Sequence, residues 1–397
     1  MASRTMHTIR TLLFLWLVAL SATAQNTLVF EENGFKAAMA KAKAENKILF
    51  YMLYADWCPH CKKMKAEVFT DPKVIDFMSQ HFVCGWQNIE TGEGPALRKK
   101  LNTKLFPYFV FINPDSRIVY ALSGELKSDD LIKEASTALD PKQQIPYLED
   151  QFLADRGNAE KCLALLTTMR KGYERQALHP IAQAYFANVP DDKMVSDINW
   201  KIMANGVADI ESREFQYLLK HQKEYAAVSS PERVERKILN AVTETMQVFA
   251  TDTDTVAYYR KREVIQAMQM RKTDSLLFRY DMEIAERTGN KARYREATVS
   301  NVKRFAWTSA PILKDVAKKY AEYYADPQSL QYALDWIARA LELDMTVDNR
   351  LTQARIYFKL GRKKEALASA RAGKALAQQY GFSQADADAL ISAYEKS

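Results

Sequence analysis

The sequence predicts an α/β domain over residues 25–140 followed by an all-α helical-repeat domain over residues 147–397, and three observations carry that reading. The 397 residues exceed the roughly 250–300 at which one hydrophobic core stops growing, so at least two domains are expected. The 12 glycines and 12 prolines are about 6% of the chain, half the usual ~12%, as in a helix-rich protein. These breakers are also uneven. Residues 25–140 hold five of each, whereas the much longer stretch 147–397 holds seven glycines and five prolines. With 48% apolar and 26% charged residues, a largely disordered or collagen-like chain is excluded. The formal charge of +7 is made of interspersed signs, which argues against a nucleic-acid partner.

The first element is an address. Arg4 and Arg10 precede an apolar run from Leu12 to Leu20, and Ala22-Thr23-Ala24 follows it directly, the three parts of a secretory signal peptide. The run is far short of the ~20 residues a membrane-spanning helix needs. Cleavage before Gln25 is expected, giving an exported, periplasmic or secreted protein with no membrane insertion after cleavage.

In the α/β part, a helical stretch from about Gly34 to Asn46 leads into the apolar run Lys47–Tyr54, a buried strand. Helix-type residues resume from Cys58 to Phe69. Residues 71–80 read as a short helix, Phe82–Ile89 as a strand, and Thr91–Pro95 as a turn into a helix near Ala96–Asn102. Pro107 opens the strand Tyr108–Ile112, a position where its missing donor is tolerated. Asn113–Ser116 turns the chain into Arg117–Ala121, and a helix from Asp129 to Leu139 completes the unit.

Between the first strand and its helix lies Asp56-Trp57-Cys58-Pro59-His60-Cys61, which carries the chemistry. Disulfide exchange is initiated by a thiolate, and the unpaired N–H groups and positive dipole end of a helix N-terminus stabilise one at Cys58. The two-residue spacer puts Cys61 one turn later on the same side, where it can attack a mixed disulfide formed by Cys58. Pro59 suits the first helical turn. His60, when protonated, adds a cation beside the thiolate and makes the couple more oxidising. Trp57 is expected to pack against the helix start. A zinc site needs two more ligands, but the other thiols, Cys84 and Cys162, form no second pair, so no metal is expected. Those two read as small buried hydrophobes, with a bond between them left open.

Ala-Asp-Trp-Cys-x-x-Cys-Lys at 55–62, Phe69–Val74, Phe-Pro-x-Phe-Val-Phe at 106–111 and Gly124 together resemble the thioredoxin superfamily. Within it they look like the C-terminal domain of the periplasmic disulfide reductase DsbD and its stand-alone homologues. The resemblance implies a thioredoxin-like fold with no cofactor beyond the redox-active pair Cys58 and Cys61. It makes Cys58 the exposed nucleophile, Cys61 the resolving thiol, and Pro107 a cis-proline shaping the substrate groove. The sequence departs from thioredoxin in its Pro-His dipeptide. It departs again where thioredoxin has a buried Asp and Lys, positions held here by Met52 and Trp86. Asp56 and Glu67 are the nearby carboxylates that could replace the missing acid.

Residues 141–146, with two prolines among polar residues, read as a linker. Beyond it, apolar residues recur at three and four spacings between breaks such as Arg156–Asn158, Val189–Asp192, Ser229–Pro231 and Thr288–Asn290, a succession of helices. Ala321, Tyr324, Ala333 and Ala340 recur 33 residues later as Ala354, Tyr357, Ala366 and Gly373. That pattern resembles a tetratricopeptide repeat over about 315–381, with degenerate repeats before it.

Two functions compete. One is an exported thiol–disulfide oxidoreductase acting on protein thiols or disulfides, recycled by a redox partner, its helices recruiting the client; the direction of electron flow stays open. The other is a non-enzymatic interaction protein with a thioredoxin-like adapter.

Overall fold

The computed structural model describes residues 27–270 and 272–396; the signal peptide expected at 1–24 lies outside the described residues. The described chain contains a four-stranded sheet near its start and helices thereafter. It divides into two compact units, one ending at Ala241 and one beginning at Val242.

The first unit opens with α1 (Phe35–Ala44), β1 (Ile48–Tyr54), α2 (Pro59–Lys63), α3 (Pro72–His81) and β2 (Phe82–Asn88). It continues with α4 (Gly94–Leu101), β3 (Tyr108–Ile112), β4 (Ile118–Ser123) and α5 (Ser128–Leu139). The strands lie in the order β2-β1-β3-β4; β2 runs parallel to β1, while β3 and β4 are antiparallel to their neighbours. A helix between β1 and β2 and a tight turn between β3 and β4 account for this, since parallel strands need a crossover and antiparallel ones a short connection. Strands of continuous apolar character are buried on both faces. Phe50 stacks on Phe109 at 5.5 Å and tilts against Phe111 at 5.2 Å, so the centre of the sheet is an aromatic cluster.

Both edges of the sheet are covered. The chain before α1 reaches β2 through a parallel bridge between Glu31 and Gly85, with Glu31 N–H donating to Cys84 O at 2.8 Å. At the other edge, Ser123 N–H of β4 donates to Lys171 O at 3.0 Å. Gly172 lies so close to Ala121 that a Cβ there would stand 2.6 Å from the Ala121 carbonyl carbon. Lys171 Nζ pairs with Glu134 at 2.8 Å and meets the Tyr120 hydroxyl, while Tyr173 joins the sheet's core.

This contact changes the expected domain boundary. Residues 141–146 do not behave as a linker: Pro141–Gln143 form a 3-10 turn capped by Asp140, Gln144 donates to Ala138 O, and Ile145 is buried at the start of α6 (Ile145–Ala154). Helices α6 and α7 (Ala159–Met169) pack on β4, and the first compact unit therefore runs through to Ala241. Cys84 and Cys162 are buried free thiols, consistent with small apolar core residues.

In the second unit three helix pairs follow one another: Thr273–Arg287 with Lys291–Val299, Ala310–Tyr323 with Pro327–Leu343, and Val347–Lys359 with Lys363–Gln379. Successive starts lie 36 or 37 residues apart. Buried triplets recur at 36: Tyr294, Ala297, Thr298; then Leu330, Ala333, Leu334; then Ala366, Ser369, Ala370. The 33-residue register expected from sequence is thus about one turn off, since it pairs Ala333 with Ala366, whose counterpart is Leu330. Small residues lining a helix face recur every three or four positions, so a slip of one turn still matches small with small.

Candidate active site

The site is built where β1 ends and α2 begins. Cys58 is the N-cap of α2: its backbone is extended, and its sulfur accepts the N–H of Cys61 at 3.2 Å. Cys58 is not the exposed nucleophile that the resemblance implied: it is 3% exposed, because its thiol is tucked against the Phe106 carbonyl at 3.6 Å. Pro59 occupies the first helical position, where no donor is lost. Cys61 lies one turn on and is 1% exposed; burial first, then its hydrogen bond with Cys58, push its thiol up to about 12. Both cysteines carry free thiols.

Pro107 arrives from the opposite side, with the Phe106–Pro107 peptide cis. Its carbonyl accepts the N–H of Gly124 at 2.8 Å, and Gly124 sits at φ 104°, in the region that favours glycine. The turn after β4 is thereby tied to the loop before β3, and both border the cysteines.

Trp57 does not pack as expected. It is 61% exposed, its indole N–H donates to Glu90 at 2.9 Å, and its ring meets Phe106 edge-on at 6.4 Å. Glu90 N–H in turn donates to Asn88, whose amide donates to Asp56 at 2.9 Å, so the end of β2 orients the loop that carries the tryptophan. Leu105, next to Phe106 in the chain, is likewise exposed, at 60%.

His60 turns to a carboxylate that sequence reasoning missed. Its Nδ1 lies 2.8 Å from Glu125, whose other oxygen accepts from Lys63 at 2.6 Å. Lys63 first, then His60, hold the Glu125 carboxyl below the usual carboxylate range. The signal was the position of Glu125 directly after Gly124, but only the fold brings it to α2. The structure also breaks the expected uninterrupted helix from Cys58 to Phe69: Met64–Val68 form one wide π turn, a form found often at functional sites. Among the described residues no cluster of three or more potential metal ligands occurs, and no helix is long and apolar enough to cross a membrane.

Residues 35–138 match the family model for the thioredoxin-like domain. Over 107 residues the chain is 32% identical to a thiol:disulfide interchange protein DsbD of Tatumella citrea; the match takes in 25% of this chain and 18% of that relative. The chain thus spans under a fifth of that protein's length. Among solved structures, a candidate disulphide-isomerase from Bacteroides thetaiotaomicron is 34% identical, with 29% of this chain and 96% of that one covered, TM-score 0.28. The oxidised C-terminal domain of Neisseria meningitidis DsbD is 27% identical, with 28% and 98% covered, TM-score 0.25.

Proposed function

Given that residues 35–138 form a thioredoxin-like domain, we propose that the protein is an exported thiol–disulfide oxidoreductase using the Cys58-Pro59-His60-Cys61 pair on protein clients. The observation that carries this reading is Cys58 at the α2 N-terminus, its sulfur taking the Cys61 N–H with Pro107 alongside. Working as a reductant, the Cys58 thiolate attacks a client disulfide: the Cys58–client bond forms, the client S–S bond breaks, and one client sulfur leaves as thiolate. Cys61 then attacks Cys58, closing the intramolecular disulfide and releasing the second client sulfur. Run backwards, the same steps oxidise a dithiol. The exposed side chains of Trp57 and Leu105 offer the client an apolar rim, and the helical region offers a second place for client or partner to bind.

The test is trapping. Cys61→Ala should accumulate mixed disulfides with exported proteins through Cys58, and Cys58→Ser should accumulate none; an empty trap with Cys61→Ala would leave the non-enzymatic adapter as the better reading. Direction follows from the reduction potential of the pair. A protonated His60 adds a cation near Cys58 and its partner Glu125 offsets part of that charge, so a value between the ~−270 mV of thioredoxin and the ~−120 mV of DsbA is expected against a glutathione buffer. Export is tested by whether the mature chain starts at Gln25.

A further inference from the structure

Resolution of a mixed disulfide needs the Cys61 thiolate, and burial opposes it. The sheet beneath supplies no carboxylate: Met52 is fully buried in β1, and Trp86 is its partner in β2. Of the two acids the sequence suggested, Asp56 is exposed and bonded to Asn88, and its charge acts on Lys65. Glu67 is exposed, and its charge acts on Lys63. The cation that acts on Cys61 is Lys65, four residues on, its influence smaller than those of burial and of Cys58.

Lys65 is held in place by aromatic faces. Its ammonium lies 3.1 Å from the centroid of the Tyr54 ring and 4.4 Å from that of Trp86, at the ends of β1 and β2. It is half-buried, four residues after Cys61, in the wide turn that follows α2. Burial holds this ammonium below the ordinary lysine value, while Asp56 and Cys61 act the other way.

We propose that Lys65 is a positioning residue for the resolving step, its ammonium, fixed on Tyr54 and Trp86, stabilising the Cys61 thiolate as it attacks Cys58. The inference rests on the redox reading above. In this step the Cys61 proton passes to solvent, the Cys61–Cys58 bond forms, the Cys58–client bond breaks, and the client sulfur departs with the electron pair. Lys65 stays protonated throughout. A cation beside an anion lowers the pH at which that anion forms, so losing Lys65 displaces the resolving step to higher pH.

The experiment follows the reduced full chain reacting with an aromatic disulfide reagent, whose first released thiolate reports attack by Cys58 and whose second reports resolution by Cys61. Lys65→Met should slow the second release relative to the first by roughly three- to tenfold at neutral pH, with its pH profile moved upward. Lys65→Arg, which keeps the cation on the rings, should restore most of it. In parallel, Cys61 titration is followed through its Cβ carbon-13 shift in Cys58→Ser, with and without Lys65→Met. An unchanged release ratio and unchanged Cys61 titration in Lys65→Met would overturn the proposal. A wild-type chain with no first release would overturn the redox reading, and the Cys61 titration would still decide the role of Lys65.

Discussion

The sheet and the helical region bury their polar groups in opposite ways. From Leu28 to Ala138 the core is apolar and heavily aromatic, and its buried polar side chains, among the described residues, are Asn88 and Thr103. In the helices, buried polar residues are frequent and most are tied down. Asn349 donates to Asp344 O at 2.7 Å, Ser369 to Gln353 at 2.8 Å, and Lys237 to Val207 O, while Asp281 takes both Arg262 and the Tyr258 hydroxyl. A strand satisfies its backbone through its neighbours, so a sheet core can be left to apolar side chains. Each helix end leaves carbonyls and N–H groups unpaired, and in a stack of helices those ends meet side chains from the next. The candidate redox pair stands at one end of the apolar sheet, while the polar groups inside the helices tie helices to one another and to their loops.

The largest test of that contrast is Phe109→Ala. The ring is fully buried against Phe50, and its loss should destabilise the first unit by about 3–5 kcal/mol, read in urea unfolding. Next, Asp281→Ala in the second unit strands Arg262 and should cost about 3 kcal/mol, whereas the double replacement Arg262→Met with Asp281→Leu should recover much of it. If the double variant were as unstable as the single one, the helices would depend on the ion pair for more than desolvated charge. Thr346→Ala removes the side-chain cap to Asn349 N–H, with an expected loss of about 1 kcal/mol. Ser369→Ala should be as small or smaller, since a neutral hydrogen bond contributes ~0.5–1.5 kcal/mol. None of the helical substitutions should change Cys58 reactivity, which the rate of its alkylation checks.

The sheet was legible in the sequence because its apolar runs and breakers mark strand ends. Lys47–Tyr54, Phe82–Ile89 and Tyr108–Ile112 lie within a residue of the observed strands. Cys58, Pro59 and Pro107 were legible for the same reason, each sitting at an element boundary, and Cys61 by its two-residue spacing from Cys58. Glu125, Glu90 and Lys65 were not, because what they touch lies 65, 33 and 11 or more residues away, and only the folded sheet brings those partners together. The helical repeat was read as a repeat but in the wrong register, where alanine matches alanine one turn apart. The boundary at 141–146 failed because prolines mark a change of direction as readily as a gap between domains: Pro146 opens α6, which packs back on β4.

The Lys171 carbonyl bound to the Ser123 N–H has a practical consequence for dissection. A fragment ending at Leu139 would retain both Cys58 and Cys61, yet it would lose the segment that seals β4. An open strand edge recruits other chains. Such a fragment is expected to self-associate in analytical ultracentrifugation at concentrations where a fragment ending at Ala241 stays monodisperse, so kinetic work on the redox site belongs on the longer piece.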